Sequence, residues 1–238
     1  MAKKGKRYKA ILEKVDLTKQ YTISEAVAIA KENATAKFDE SLELHVRLGV
    51  DPRHADQQIR STIVLPHGTG HNKKVCVLAL GDKQKEAQDA GADIVGGEDL
   101  VQEIAGGRMD FDAVIATPDI MKQAGRLGKV LGPRGLMPSA KTGSVTFDVA
   151  DAVKEVKAGR IEFRVDKTAI THNAVGKASF PVEKLEANVK ALFRAIAKAR
   201  PSSVKGTYVK GVSLTSTMGV GITIDPVQAV KDVTSSEA

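Results

Sequence analysis

The sequence predicts an α+β domain assembled from both ends of the chain, an antiparallel-type sheet with helices on one face, with an α/β unit inserted into it. Three observations carry this reading. Segments near 42–50, 160–165 and 212–217 alternate apolar and polar residues, the period of a strand with one buried face. The middle of the chain instead has compact apolar runs joined by helical patterns, as in a covered, mostly parallel sheet. A chain of 238 residues with 42% hydrophobic content is also long and apolar enough to bury two cores. The boundaries fall at 1–67 and 160–238 for the outer domain and 68–159 for the insertion.

Taken in order, the chain begins with the cations Lys3, Lys4, Lys6, Arg7 and Lys9. A helix over 24–33 precedes the first alternating strand, where Leu42, Leu44, Val46, Leu48 and Val50 share one face. The insertion opens with the apolar run 75–80, then a polar helix over 83–90, a short strand at 94–95 and a helix over 100–105. A strand at 113–116 leads to Thr117-Pro118, an N-cap residue followed by a first-turn proline. After a glycine-rich stretch, a strand at 145–147 and a helix over 151–158 end at Gly159. Back in the outer domain, Ile161, Phe163 and Val165 alternate with charges, which assigns Phe163 to the core. A helix over 181–199 buries Leu185, Val189, Leu192, Phe193 and Ile196, so Lys190, Arg194 and Lys198 point largely outward. Strands at 212–217 and 220–224 follow, and the polar tail after Pro226 is expected to be disordered.

The stretch 125–138, GRLGKVLGPRGLMP, packs four glycines, two prolines and three cations into fourteen residues. This composition predicts a shaped, rigid loop rather than a regular helix or strand. It lies within an acid-free run, 120–147, and a second such run covers 187–224. The region 82–112 is by contrast rich in acids. A net charge of +7 with this asymmetry fits either a solvated basic surface or contact with a polyanion such as nucleic acid.

Several chemistries are excluded or unsupported. The lone Cys76 cannot form an intramolecular disulfide, and its apolar setting makes it an inert core thiol. The glycine spacing matches neither a dinucleotide fingerprint nor a phosphate loop, because Val130 stands where a magnesium-binding hydroxyl would follow Gly128-Lys129. His67 and His71 are separated by glycines, which reads as a turn rather than a metal pair. No cofactor or metal is therefore expected. No apolar stretch approaches the ~20 residues needed to span a bilayer, and no signal-peptide pattern is present, so a cytoplasmic protein without membrane contact is expected. With no tryptophan and only 4% aromatics, recognition by stacking single-stranded bases is disfavoured. What remains is the hydroxyl row Ser213, Thr215 and Thr217, ending at Met218-Gly219. It is either the polar solvent face of an edge strand or a surface for phosphate and ribose, with glycine permitting close approach.

The motifs together resemble the L-one family of large-subunit ribosomal proteins. They are KFDESLELHVRLGVDPR at 37–53, VLPHGTG at 64–70, LGPRGLMP at 131–138, RIEFRVDK at 160–167, VGKASF at 175–180 and TSTMG at 215–219. The resemblance implies the same split domain, with a Rossmann-like insertion, and binding to large-subunit ribosomal RNA through the split domain. The residues it implicates are Lys37, Phe38 and Glu40, then Lys167 and Thr168, then Ser213, Thr215, Thr217, Met218 and Gly219. Phe38 and Met218 would pack against ribose or bases, the hydroxyls would donate and accept hydrogen bonds, and Lys37 and Lys167 would neutralise phosphate. It further implies a role in exit-site tRNA movement and repression of the messenger of its own operon, with the free protein a monomer. Arg126, Lys129 and Arg134 would then shape a domain interface or meet the tRNA. Thr171 departs from the family pattern, which leaves His172 outside the expected contacts. A nucleotide-dependent enzyme using the inserted unit and a general basic nucleic-acid binder are the competing readings.

Overall fold

A computed structural model describes residues 5–234; the expected contributions of Lys3, Lys4 and the last four residues of the tail lie outside the described residues. The elements in chain order are α1 (Lys6–Lys14), α2 (Ile23–Glu32), β1 (Ser41–Leu48), β2 (Arg60–Val64), β3 (Val75–Leu78), α3 (Asp82–Asp89), β4 (Ile94–Gly96) and α4 (Glu98–Ala105). Next come β5 (Ala113–Ala116), α5 (Met121–Ala124), α6 (Gly128–Leu131), α7 (Val149–Lys157), β6 (Arg160–Arg164), β7 (Ile170–Lys177), α8 (Val182–Lys198), β8 (Val209–Ser216), β9 (Ile222–Ile224) and α9 (Pro226–Thr234). The chain divides into two compact units: residues up to Gly70 with those from Ile161 onward, and His71–Arg160.

In the first unit a four-stranded sheet runs in the order β7-β1-β8-β9, with antiparallel neighbours throughout. Its inner face presents Leu42, Leu44, Val46, Leu48, Val212, Leu214, Ile222 and Ile224, all buried, in one cluster with side chains of α2, α8 and α9. The alternation in the sequence therefore reports a sheet with one covered face. Thr22 caps α2 through a reciprocal pair, its hydroxyl accepting from the Glu25 N–H at 3.3 Å and the Glu25 carboxylate accepting from the Thr22 N–H at 3.0 Å. On α8 the five apolar residues of the expected stripe are buried, and so is Asn188. Asn188 donates to the carbonyls of Gly68 and Val175 and accepts from the His67 N–H, so it anchors the His67–Gly70 turn, where Gly68 and Gly70 have φ of 65° and 74°.

Four expectations change. The strand at 160–165 does not join the main sheet; β6 pairs with β2 as a separate two-stranded sheet, with Phe163 buried at 1% exposure. β8, read as a possible edge strand, is interior, flanked by β1 and β9. The tail forms α9, because Ala229 and Val233 recur at helical spacing and bury against the core. Arg194 does not simply point outward, since it donates to the Val233 carbonyl of α9 at 3.3 Å.

The second unit carries a parallel sheet in the order β4-β3-β5, extended by a parallel bridge from Ala116 to Val145. Cys76, Leu78, Val114 and Ala116 pack on one side with α4, Ile120, Ala124, Leu127 and Leu131; Val75, Val77, Ala79 and Ile115 pack on the other with α3 and α7. Both faces are covered, which is why these strands read as unbroken apolar runs. Burial pushes the Cys76 thiol up to about 12, so it stays protonated and inert. The first half of the glycine-rich stretch is not a loop. Residues 118–131 run as consecutive short helical turns, with Gly125 and Gly128 in right-handed helical geometry and Leu127 and Leu131 buried; in 125–138 only Gly135 has positive φ, at 70°.

Candidate nucleic-acid interface

The turn after β8 is built from the start of β1. The Thr217 N–H donates to the Ser41 carbonyl at 3.0 Å, and the Thr217 hydroxyl accepts from the Ser41 N–H at 2.9 Å and donates to the Ser41 carbonyl at 3.2 Å. One residue on, the Met218 N–H donates to Glu40 Oε2 at 2.9 Å, while Glu40 Oε1 accepts from the Ala36 N–H at 2.8 Å. The Met218 carbonyl accepts from the guanidinium of Arg7 on α1 at 2.8 Å. Phe38, 55% exposed, and Met218, 50% exposed, project from these two turns beside the exposed Lys37.

Glu40, expected among the contacts, has a different place: it is 1% exposed and both oxygens serve backbone N–H groups. Burial acts to raise its carboxyl, but the N–H donors of Met218 and Ala36, the Ser216 side chain and the charge of Arg7 together outweigh it and hold the group below its ordinary value. Gly219 also has an internal reason to be glycine, since a Cβ there would stand 2.5 Å from the Ser216 hydroxyl.

The outer face of the main sheet extends from this turn. Register places Thr215 opposite Glu43 and Ser213 opposite His45, with His172 on the other side of His45 and Thr223 beyond Ser213. The Thr215 hydroxyl donates to the Ser216 carbonyl at 3.0 Å. Thr215 and Thr217 thus spend their protons on the backbone and present only acceptor lone pairs outward, a narrower chemistry than the expected donors and acceptors. His45 and His172 meet Nδ1 to Nδ1 at 2.8 Å. Burial first, and the neighbouring His172 second, push His45 below its ordinary value against the opposing Glu43.

Lys167 and Thr168 lie at the opposite end of the same sheet. They occupy the turn between β6 and β7, where Asp166 accepts from the Thr168 and Ile170 N–H groups and the Thr168 hydroxyl. Ala169, with φ 63°, closes that turn and accepts from the Leu48 N–H at 2.8 Å. The two turns flank opposite ends of β1, separated by roughly 24 Å at about 3.4 Å per strand residue. The expected contacts therefore form two clusters joined by the Ser213–His45–His172 row. Arg126, Lys129 and Arg134 are exposed on the second unit and are not part of either cluster. Among the described residues no group of histidine, cysteine and carboxylate side chains is arranged to hold a metal ion.

Arg7, named in the sequence only as one of the N-terminal cations, and His172, left outside the expected contacts, both stand beside this surface. Arg7 stands 211 positions from Met218 and carries no local signal beyond a basic N-terminus. His172 lies outward on β7, between the buried Thr171 and Asn173.

Residues 30–220 match the model of the Ribosomal protein L1p/L10e family. The chain is 55% identical over 227 residues to the large ribosomal subunit protein uL1 of two strains of Thermus thermophilus, an alignment covering 95% of this chain and 99% of each relative. The motifs, the match across most of the chain and the close relatives agree: the chain belongs to the Ribosomal protein L1p/L10e family.

Proposed function

We propose that this protein is a structural, non-enzymatic constituent of the large ribosomal subunit in the cytoplasm. It binds large-subunit ribosomal RNA through the outer face of its four-stranded sheet and the turns at either end. The split α+β unit is the RNA-binding domain and the second unit is its Rossmann-like insertion. The observation that carries this is the pair of solvent-exposed apolar side chains, Phe38 and Met218, held on two turns pinned by one buried carboxylate. Exposed apolar groups on rigid turns beside a lysine suit ribose and base edges flanked by phosphate. The acceptor-only hydroxyls of Thr215 and Thr217 fit ribose 2′-OH donors, which phosphate oxygens are not.

The same surface supports repression of the protein's own messenger, where a transcript segment folds like the ribosomal site. The exposed Arg126, Lys129 and Arg134 support a contact with exit-site tRNA. Competition between a large-subunit ribosomal RNA fragment and bulk RNA at fixed salt tests the central reading. Specific binding should exceed bulk binding by at least about 10³-fold, and replacing Phe38 and Met218 together by alanine should remove most of that margin. Equal affinities for the two RNAs would defeat it.

A further inference from the structure

Glu40 and Arg7 grip the two backbone polar atoms of Met218 from opposite sides: the carboxylate takes its N–H at 2.9 Å and the guanidinium bonds its carbonyl at 2.8 Å. The other oxygen of Glu40 takes the Ala36 N–H at 2.8 Å, at the base of the turn that carries Lys37 and Phe38. One buried carboxylate thus ties together two turns 178 residues apart, each bearing one of the exposed apolar side chains. Asp39 reinforces the same turn from its outer side, accepting from the Ser179 N–H at 3.1 Å and hydroxyl at 2.8 Å.

We propose that Glu40 and Arg7 are positioning residues for RNA recognition: neither reads RNA, but together they set the spacing of Phe38 and Met218, which makes α1 a working part of the binding surface. This rests on the proposed role of Phe38 and Met218 in RNA binding. The chemistry of the site makes the carboxylate hard to replace. Glutamine at position 40 offers one acceptor oxygen and an NH2 group that can only donate, so one of the two backbone N–H groups must lose its partner. Lysine at position 7 keeps the charge but not the planar guanidinium donor that reaches the Met218 carbonyl.

The test is a double-mutant cycle on the full chain, reading affinity for a large-subunit ribosomal RNA fragment and its dependence on salt. Glu40→Gln should weaken binding about tenfold. In a Phe38→Ala/Met218→Ala background the same substitution should weaken it less than about twofold, because the groups it positions are gone. Arg7→Ala, on an exposed helix position that does not threaten folding, should weaken binding with an unchanged salt slope. Equal effects of Glu40→Gln in both backgrounds, or a fall of about one in the salt slope on removing Arg7, would overturn the proposal. If Glu40→Gln fails to fold, the Arg7→Ala slope decides alone. If Phe38→Ala/Met218→Ala by itself leaves affinity unchanged, the reading of the RNA surface falls and takes this proposal with it.

Discussion

His45 and His172 face each other Nδ1 to Nδ1 at 2.8 Å on the outer face of the sheet, a geometry that requires one nitrogen to donate and the other to accept. At least one ring must therefore be neutral. His45 is the more enclosed of the two, and burial followed by the neighbouring His172 ring depresses its proton affinity, with Glu43 opposing. For a histidine whose native value lies below its unfolded value, the stabilising state is the neutral one. That contribution is complete above the unfolded value of about 6.5 and is lost as pH falls through the lower native value. NMR titration of the imidazole signals should place His45 below 6.5, and His172→Gln should move it back towards that value. A His45 that titrates at or above 6.5 in the native protein would contradict the arrangement.

At the scale of elements, Gly125 and Gly128 sit in helical geometry, and a Cβ added to either would meet nothing within 4 Å. Alanine at each should raise stability by about 0.5–1 kcal/mol, read from urea unfolding. Gly70→Ala should do the reverse by more than about 1 kcal/mol, because φ there is 74° and the new Cβ would press on Phe180 and Lys177 at 3.0 Å. Glycine density thus suggested a loop where buried Leu127 and Leu131 impose a helical turn, a tertiary effect overriding local propensity. The opposite failure hid β7. Its inward positions include Thr171 and Asn173, and a buried polar pair erases the alternation that revealed β1. The tail failed for a third reason, since its apolar residues Val227, Ala229, Val230 and Val233 are small and scattered among polar ones and give little pattern. Val233 is nevertheless 2% exposed, so Val233→Ala should cost about 1–2 kcal/mol. No change in the urea midpoint would show that α9 contributes nothing to the core. At the candidate site the motifs pointed to Phe38 and Met218, whereas the Arg7–Met218 bond joins distant segments and no spacing rule reaches it.

At the scale of the whole molecule, every member of the large core cluster comes from residues 8–65 or 161–233, and every member of the two clusters flanking the parallel sheet comes from residues 75–156. Among the described residues no buried cluster crosses the division between the units, so each holds its own hydrophobic driving force for folding. The two ends of the second unit come together, as shown by the bond from the Lys73 ammonium to the Arg160 carbonyl at 2.9 Å. A short Gly-Ser linker replacing residues 71–160 should therefore close without disturbing the first unit, because loop-closure cost grows only slowly with length. The shortened protein should unfold in one cooperative transition and keep its affinity for a large-subunit ribosomal RNA fragment within about threefold, under 1 kcal/mol. The Phe38 and Met218 turns, the Asp166 turn and the row between them all remain in it. Residues 71–160 alone should fold yet bind that fragment only as a salt-sensitive polyanion contact. A loss of more than about 100-fold in the folded, shortened protein would move the principal RNA surface to the inserted unit, where Arg126, Lys129 and Arg134 would be the first residues to substitute.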